Sequence, residues 1–396
     1  MTQLPRAGWT DRTDLARLVA ALGADKLRWV GGCVRDTLLE LPVNDVDAAT
    51  TLAPEAVIAA CADAGIRTVP TGLEHGTVTA VQDEGTVEIT TLRKDVSTDG
   101  RRATIRFAQN WQEDAARRDF TINALYAHPE TLEVSDFFGG LTDLAARRVR
   151  FIGDARTRIR EDHLRILRYY RFQARFGAAL DEEAEDACAD LADTLKGLSR
   201  ERVAGELLAL LALPDPVSTV ERMAERGVLP VILPEATARQ LRGLHALVGH
   251  ERDTGVPPDS LRRLGALLPA LPDVAEAVAA RLRLSRAQRD RLGCMAARAA
   301  DDTAQPRALA YRVGMECARD RLLLAGTPVE PLAGWRPPVL PLKGGAIVAR
   351  GIAAGPQVAR ILKAVEARWV AEGFPDAGRV AALMEEEVAP FIEDSA

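Results

Sequence analysis

The chain has 396 residues, 27% of them charged and 5% aromatic, with a formal net charge of −6. That length suits about two to four domains with cores of their own, and the composition excludes a disordered or collagen-like chain. No apolar run of about 18 residues occurs, so no membrane span is expected. Met1–Asp14 has no apolar stretch and predicts no secretory signal. Cys33, Cys61, Cys188, Cys294 and Cys317 are scattered, odd in number and free of any CxxC pair. They speak against a disulfide framework and a structural zinc site, and for a reducing cytoplasm.

Short β-type runs alternate with helical ones up to about residue 145. Leu27–Val30, Asp45–Thr50, Gly76–Gln82 and Gly85–Leu92 predict strands, being rich in Val, Thr and Ile. Cys33–Glu40 and Pro54–Ala64 predict helices, the second opened by its proline. Lys94–Arg102 is polar and contains glycine, which predicts a mobile loop. Beyond residue 150 the chain is Ala, Leu and Arg at helical spacing, punctuated by Pro214–Pro216, Pro230–Pro234, Pro257–Pro258 and Pro328–Pro341. An α/β head followed by an all-α remainder is expected. The acidic average hides an asymmetry: Arg147–Phe176 holds ten arginines against three acidic residues. Such a local basic stripe suits a polyanion, although a solvated basic helix gives the same pattern.

Three constellations carry chemistry. In Gly31-Gly32-Cys33-Val34-Arg35-Asp36 a strand runs through two glycines into a helix, a turn whose N–H groups can approach an anion, with Arg35 one turn in. Asp45 and Asp47 follow at i and i+2 of a strand, so both carboxylates share a face. Paired like charges need a cation, and hard oxygens suit Mg²⁺ completed by substrate phosphates. Two-metal sites of this kind serve phosphoryl displacement. Glu88 is a candidate third carboxylate, although its alternation with Val87 and Ile89 fits an ordinary exposed strand position equally well. In the second constellation, Arg117 and Arg118 can grip phosphates, and Asp119 and Asn123, at i and i+4 of a helix, can bind a ribose. The third is the helical run Glu161–Phe176. It sets Asp162 and Arg165 one turn apart, with Arg168 and Arg171 on neighbouring rows. An Asp–Arg edge can read the amino-and-ring-nitrogen pattern shared by cytosine and adenine, or it can be a mere intrahelical salt bridge.

GGCVRD with NDVDAAT, HGTVTAV with VEITTLRKD, RRDFTINAL and EDHLRILRYYRFQARF occur in this order. The chain here resembles the class II tRNA nucleotidyltransferases, the bacterial CCA-adding enzymes, whose sister family is the bacterial poly(A) polymerases. The likeness is dense over residues 27–176 and looser beyond. It implies an α+β fold: a polymerase-β-like nucleotidyltransferase head, a mixed sheet with helices, followed by an all-α neck, body and tail. The boundaries expected are 1–145, 146–213, 214–310 and 311–396, the tail binding tRNA. By resemblance, Asp45 and Asp47 would hold Mg²⁺, and Gly32 and Arg35 would contact the triphosphate. Arg118, with Arg117, and Asp119 would hold sugar and phosphates. Asp162 and Arg165 would template CTP and ATP, with Arg168 and Arg171 lining the same pocket. Asp95–Arg102 would be the flexible loop tied to the switch from C to A addition. Asp136, Gly140 and Arg148 would form the hinge between head and neck. Gly72–Thr77 looks CCA-type, against a poly(A) polymerase. CC-only or A-only addition, poly(A) synthesis and a non-catalytic RNA-binding role remain the alternatives.

Overall fold

The computed structural model describes residues 2–99, 102–108, 110–177 and 180–393. They form two compact units, Met1–Pro234 and Glu235–Ala396.

The first unit is built on strands β1 (Leu27–Val30), β2 (Val46–Thr50), β3 (Arg67–Gly72), β4 (Thr77–Gln82) and β5 (Gly85–Thr91). A separate pair, β6 (Arg93–Asp99) and β7 (Arg102–Phe107), follows, then β8 (Leu125–Ala127) and β9 (Val134–Asp136). The seven-stranded sheet has the order β3-β4-β5-β2-β1-β8-β9, with β2 and β5 parallel and the other neighbours antiparallel. Its two faces differ because side chains alternate along each strand. The rows Val46-Val87-Ala80 and Ala48-Ile89-Val78 are buried. Helices α1 (Thr13–Leu22) and α3 (Pro54–Asp63) complete that core, α1 burying Leu15, Leu18, Val19 and Leu22 at helical spacing. The opposite face carries the row Asp47-Glu88-Thr79. Helix α2 (Gly32–Leu38) leaves β1 through Gly31, whose φ of +74° is the left-handed region that glycine adopts without strain.

Lys94–Arg102, expected to be a mobile loop, is instead mostly strand. β6 and β7 pair as an antiparallel hairpin with a register shift between Asp95 and Ser97. The β-branched Val96, Thr98, Thr104 and Ile105 carry the strand propensity that the polar composition hides. The tip residues Gly100 and Arg101 lie outside the described residues.

The helical part of this unit follows as α4 (Trp111–Ala116), α5 (Gly140–Ala145), α6 (Ala155–Glu161), α7 (Arg165–Phe176), α8 (Glu182–Asp190), α9 (Arg200–Leu211), α10 (Val217–Glu225) and α11 (Leu229–Ile232). Two expected helical runs are interrupted. Asp119–Asn123 is a bend followed by a 3₁₀ turn, so Asp119 and Asn123 do not share a helix face. Asp162 is extended, at φ −150° and ψ 104°, and ends α6; a single turn, Arg165 N–H to Asp162 C=O at 3.0 Å, restarts the chain as α7. At the expected hinge, Asp136 caps α5 through the N–H groups of Gly140 and Leu141, both at 2.9 Å. A Cβ on Gly140 would stand 2.3 Å from the Thr121 carbonyl oxygen, so only glycine lets α5 approach.

The second unit is helical. Trp369, Ile361, Val365 and Leu383 anchor one core; Leu309, Ala318 and Leu322 anchor another. Cys294 and Cys317 form a disulfide here, where the scattered cysteines had spoken against a disulfide framework. They lie on separate helices, a pairing that linear spacing cannot reveal. Cys33, Cys61 and Cys188 are free and buried. No helix among the described residues is long and apolar enough to cross a membrane.

Candidate active site

A cleft of about 340 Å³ opens in the first unit. The head contributes Gly31, Gly32, Arg35, Asp47, Arg117, Arg118, Asp119 and Asn123; the helical side contributes Asp162, Arg165, Arg168 and Phe172. Residues from all three constellations thus meet. Asp45, Glu88 and Arg171 do not line the cleft. Arg171, expected beside Arg168, turns to Glu206 on α9, with Nε donating at 2.6 Å, and stacks over Phe172.

The acid edge comes from strand register. Asp47 and Glu88 are partners across the parallel β2–β5 pair, so their side chains leave the same face. Asp45 is exposed and stands just before β2. Burial pushes the Asp47 carboxyl up to about 6, and the neighbouring Glu88 and Asp45 push the same way while Arg118 opposes them. A carboxylate disfavoured by burial and like charge is one that a bound cation would stabilise. No three His, Cys, Asp or Glu side chains among the described residues could cage an ion alone. A cation at this edge would therefore take further oxygens from a substrate, as Mg²⁺ commonly does.

The polar groups around the cleft brace one another. Arg35 Nη1 donates to Asn123 Oδ1 at 2.5 Å, and Asn123 Nδ2 donates to Asp119 Oδ1 at 3.0 Å. Asp119 Oδ2 accepts from Arg168 Nε at 2.8 Å. Burial alone would raise the Asp119 carboxyl, but Arg168, Asn123 and the Phe120 N–H outweigh it and hold it at about 2. Arg35, Arg168 and Arg171 place their guanidinium carbons 5.1, 5.5 and 4.7 Å from the Phe172 ring centroid. Head and helix α7 are thereby tied through charge and ring contacts.

Asp162 and Arg165 do not pair with each other. Asp162 Oδ2 accepts from Arg202 on α9 at 2.7 Å. Arg165 donates to Glu161 at 2.6 Å and to the Arg117 carbonyl at 3.0 Å. The simple salt bridge between the two is absent, and both residues line the cleft. Sequence reasoning missed Arg202, Glu206, Phe172, Tyr126 and Asp114. Asp114 alone had a local signal, its spacing of three and four residues to Arg117 and Arg118, which it binds at 2.7 and 3.2 Å.

Residues 27–150 match the family described as the poly A polymerase head domain, and residues 177–239 the family described as the probable RNA and SrmB-binding site of polymerase A. The chain is also 33% identical, over 369 residues, to the mitochondrial CCA tRNA nucleotidyltransferase 1 of Mus musculus, a match spanning 88% of this chain and 84% of the mouse protein. The chain belongs to the CCA tRNA nucleotidyltransferase family. It shares 43% identity over 188 residues with a CCA-adding enzyme of Streptococcus pneumoniae, a match spanning 47% of this chain and 46% of that protein. The crystal structure of the Bacillus stearothermophilus CCA-adding enzyme in complex with CTP superposes with a TM-score of 0.73 at 26% identity, covering 97% of this chain and all of that one. The fold is thus the expected one, a mixed-sheet nucleotidyltransferase head followed by helices, and the protein is a nucleotidyltransferase.

Proposed function

We propose that this chain adds C, C and A to the 3′ end of tRNA from CTP and ATP, releasing pyrophosphate. One observation carries the proposal: a single cleft joins a glycine turn and arginines suited to phosphates, the Asp47 edge, and the Asp162 and Arg165 side chains. The tRNA 3′-hydroxyl oxygen forms a bond to the α-phosphorus while the bond to pyrophosphate breaks. Asp45 and Asp47 would hold Mg²⁺, in the family's two-metal manner, supplying positive charge against the phosphate in transfer. Glu88 has the position to support Asp47.

The chain's own residues do the positioning. The N–H of Gly32, at the start of α2 beside the Gly31 turn, with Arg117 and Arg118, binds the triphosphate, and Arg35 steadies Asn123. Asp119 and Asn123 orient the sugar. Asp162 offers an acceptor and Arg165 donors to the base; α9 holds the acid through Arg202, and Glu161 holds the arginine. Uracil would set a carbonyl against the acid and be rejected. Rate comes from orientation and fixed charge, without a covalent enzyme intermediate. In this scheme residues 1–145 act as head, 146–213 as neck, 214–310 as body and 311–396 as the tRNA-binding tail.

The test is incubation with tRNA lacking its 3′ CCA. CTP alone should extend it by two residues, and CTP with ATP by three and no more. Arrest at two with both nucleotides would mean a CC-adding enzyme. A long tail from ATP alone would mean a poly(A) polymerase.

A further inference from the structure

Arg118 is held on two of its three nitrogens. Nε donates to the Tyr126 hydroxyl at 2.9 Å, and Nη2 donates to Asp114 Oδ2 at 3.2 Å. The hydroxyl in turn donates to the same Asp114 oxygen at 2.7 Å. The three groups therefore close a ring in which the phenol both accepts and donates, which phenylalanine cannot do. The remaining nitrogen, Nη1, lies against the phosphate-type turn, 3.6 Å from where a Cβ on Gly31 would stand. The guanidinium carbon also sits 5.3 Å from the Tyr126 ring centroid.

Each brace is itself fixed. Tyr126 lies on β8, fully buried, its ring edge-on to Trp111 and Phe137 at 6.0 Å. Asp114 is buried on α4, and its other oxygen accepts from Arg117 Nε at 2.8 Å and from the N–H of Arg93, the first residue of β6, at 3.2 Å. An arginine on a free stem loses much rotamer entropy when it binds an anion. Here that loss is taken on folding.

We infer that Tyr126 is a positioning residue for the triphosphate: its hydroxyl, braced by Asp114, locks Arg118 with Nη1 directed at the Gly31 turn. The inference rests on the proposal that this cleft binds CTP and ATP, and deepens it. Tyr126 touches no substrate in this scheme and acts through Arg118. A second consequence concerns the hairpin. Asp114 holds both the stem of β6 and the two arginines, so the hairpin base and the phosphate grip share one anchor.

The experiment is a double-mutant cycle of wild type, Tyr126→Phe, Arg118→Lys and the double variant, reading kcat and KM for CTP on trimmed tRNA and the calorimetric Kd of CTP. Tyr126→Phe keeps the buried ring and removes one oxygen. It should raise KM and Kd about tenfold with kcat changed less than about threefold. In the Arg118→Lys background, which lacks the fork, the same substitution should change KM and Kd less than about twofold. Equal effects in both backgrounds, or an unchanged Kd in Tyr126→Phe, would overturn the inference. A melting temperature that drops alongside an additive cycle would mark Tyr126 as merely structural. Wild-type protein that binds CTP but adds nothing to tRNA would defeat the proposed reaction, while the Kd cycle would still decide on Tyr126.

Discussion

A buried charge cluster in the second unit and the acid edge of the cleft in the first use the same kinds of side chain in opposite ways. In the second, Arg262 lies between Glu251 at 2.6 Å and Asp320 at 2.9 Å, Arg263 binds the other Glu251 oxygen at 2.8 Å, and Arg291 grips Asp320 at 2.7 and 3.0 Å. Glu251, Asp320, Arg262 and Arg263 are buried, and both oxygens of each carboxylate are used. In the first, Asp47 has no ion-pair partner among the described residues, and Arg118 directs a nitrogen at a bare glycine turn. A closed network of buried charge fixes structure; one left open by an acid and a donor is completed by a ligand.

The sharpest break of this contrast is Asp47→Ala. It should lower nucleotide addition about a thousandfold or more, as loss of a group that stabilises transition-state charge does, while leaving tRNA affinity nearly unchanged. Single-turnover extension and filter binding separate the two quantities, and chelator should imitate the variant. Loss of tRNA binding with turnover retained would show that the open acid edge is no cation site. In the second unit, Glu251→Ala leaves two buried arginines without this carboxylate and should lower unfolding free energy by about 3–5 kcal/mol. Its ratio of CTP to UTP use, measured below the melting transition, should not move. A loss under about 1 kcal/mol in denaturant unfolding would reduce the buried cluster to the worth of a surface pair.

How much of this was legible in the chain follows from the range of the interactions. Strands β1, β2, β4 and β5 and helices α2 and α3 were visible because alternation, glycine and proline act locally. So were Asp47, Arg118, Asp162 and Arg165, which sit in ordered motifs. The breaks at Asp119 and Asp162 were not. A helix-compatible run is overridden there by tertiary partners, Arg168 for Asp119 and Arg202 for Asp162, 49 and 40 residues away. Arg171 shows the same limit: a row of arginines at helical spacing does not tell which of them lines the cleft, since Arg168 and Arg171 both reach Glu206 but only Arg168 lines it. The Cys294–Cys317 bond and the β6–β7 hairpin were hidden by separation and by polar composition respectively.

A smaller effect tests whether the open network also reads the base. Asp162→Ala should weaken use of CTP and ATP and relax rejection of UTP, since the uracil carbonyl no longer meets an acid. A buried mismatch of this kind costs about 1–3 kcal/mol, so the CTP-to-UTP ratio of kcat/KM should fall about tenfold or more. An unchanged ratio would leave Asp162 as no more than the anchor of Arg202.

The mildest test sets two carboxylates of one cleft against each other. Asp119 is held at about 2 by its partners, below the roughly 3.9 of an unfolded aspartate. Its contribution to stability is therefore full above about pH 4 and is lost as pH falls toward 2, where the folded form also takes the proton. Asp47 runs the other way. Its carboxyl is pushed up to about 6, so in the metal-free protein its ionised form opposes folding at neutral pH, and protonation between about pH 6 and 4 adds stability. Denaturant midpoints from pH 7 to 2, in chelator, should show both signs. Relative to wild type, Asp119→Asn should be less stable at pH 5 and converge with it near pH 2. Asp47→Asn should be the more stable protein at pH 7 and lose that advantage by about pH 4. Parallel curves for all three proteins would mean that neither carboxyl is shifted by its surroundings and that the open and closed halves of the cleft do not differ electrostatically.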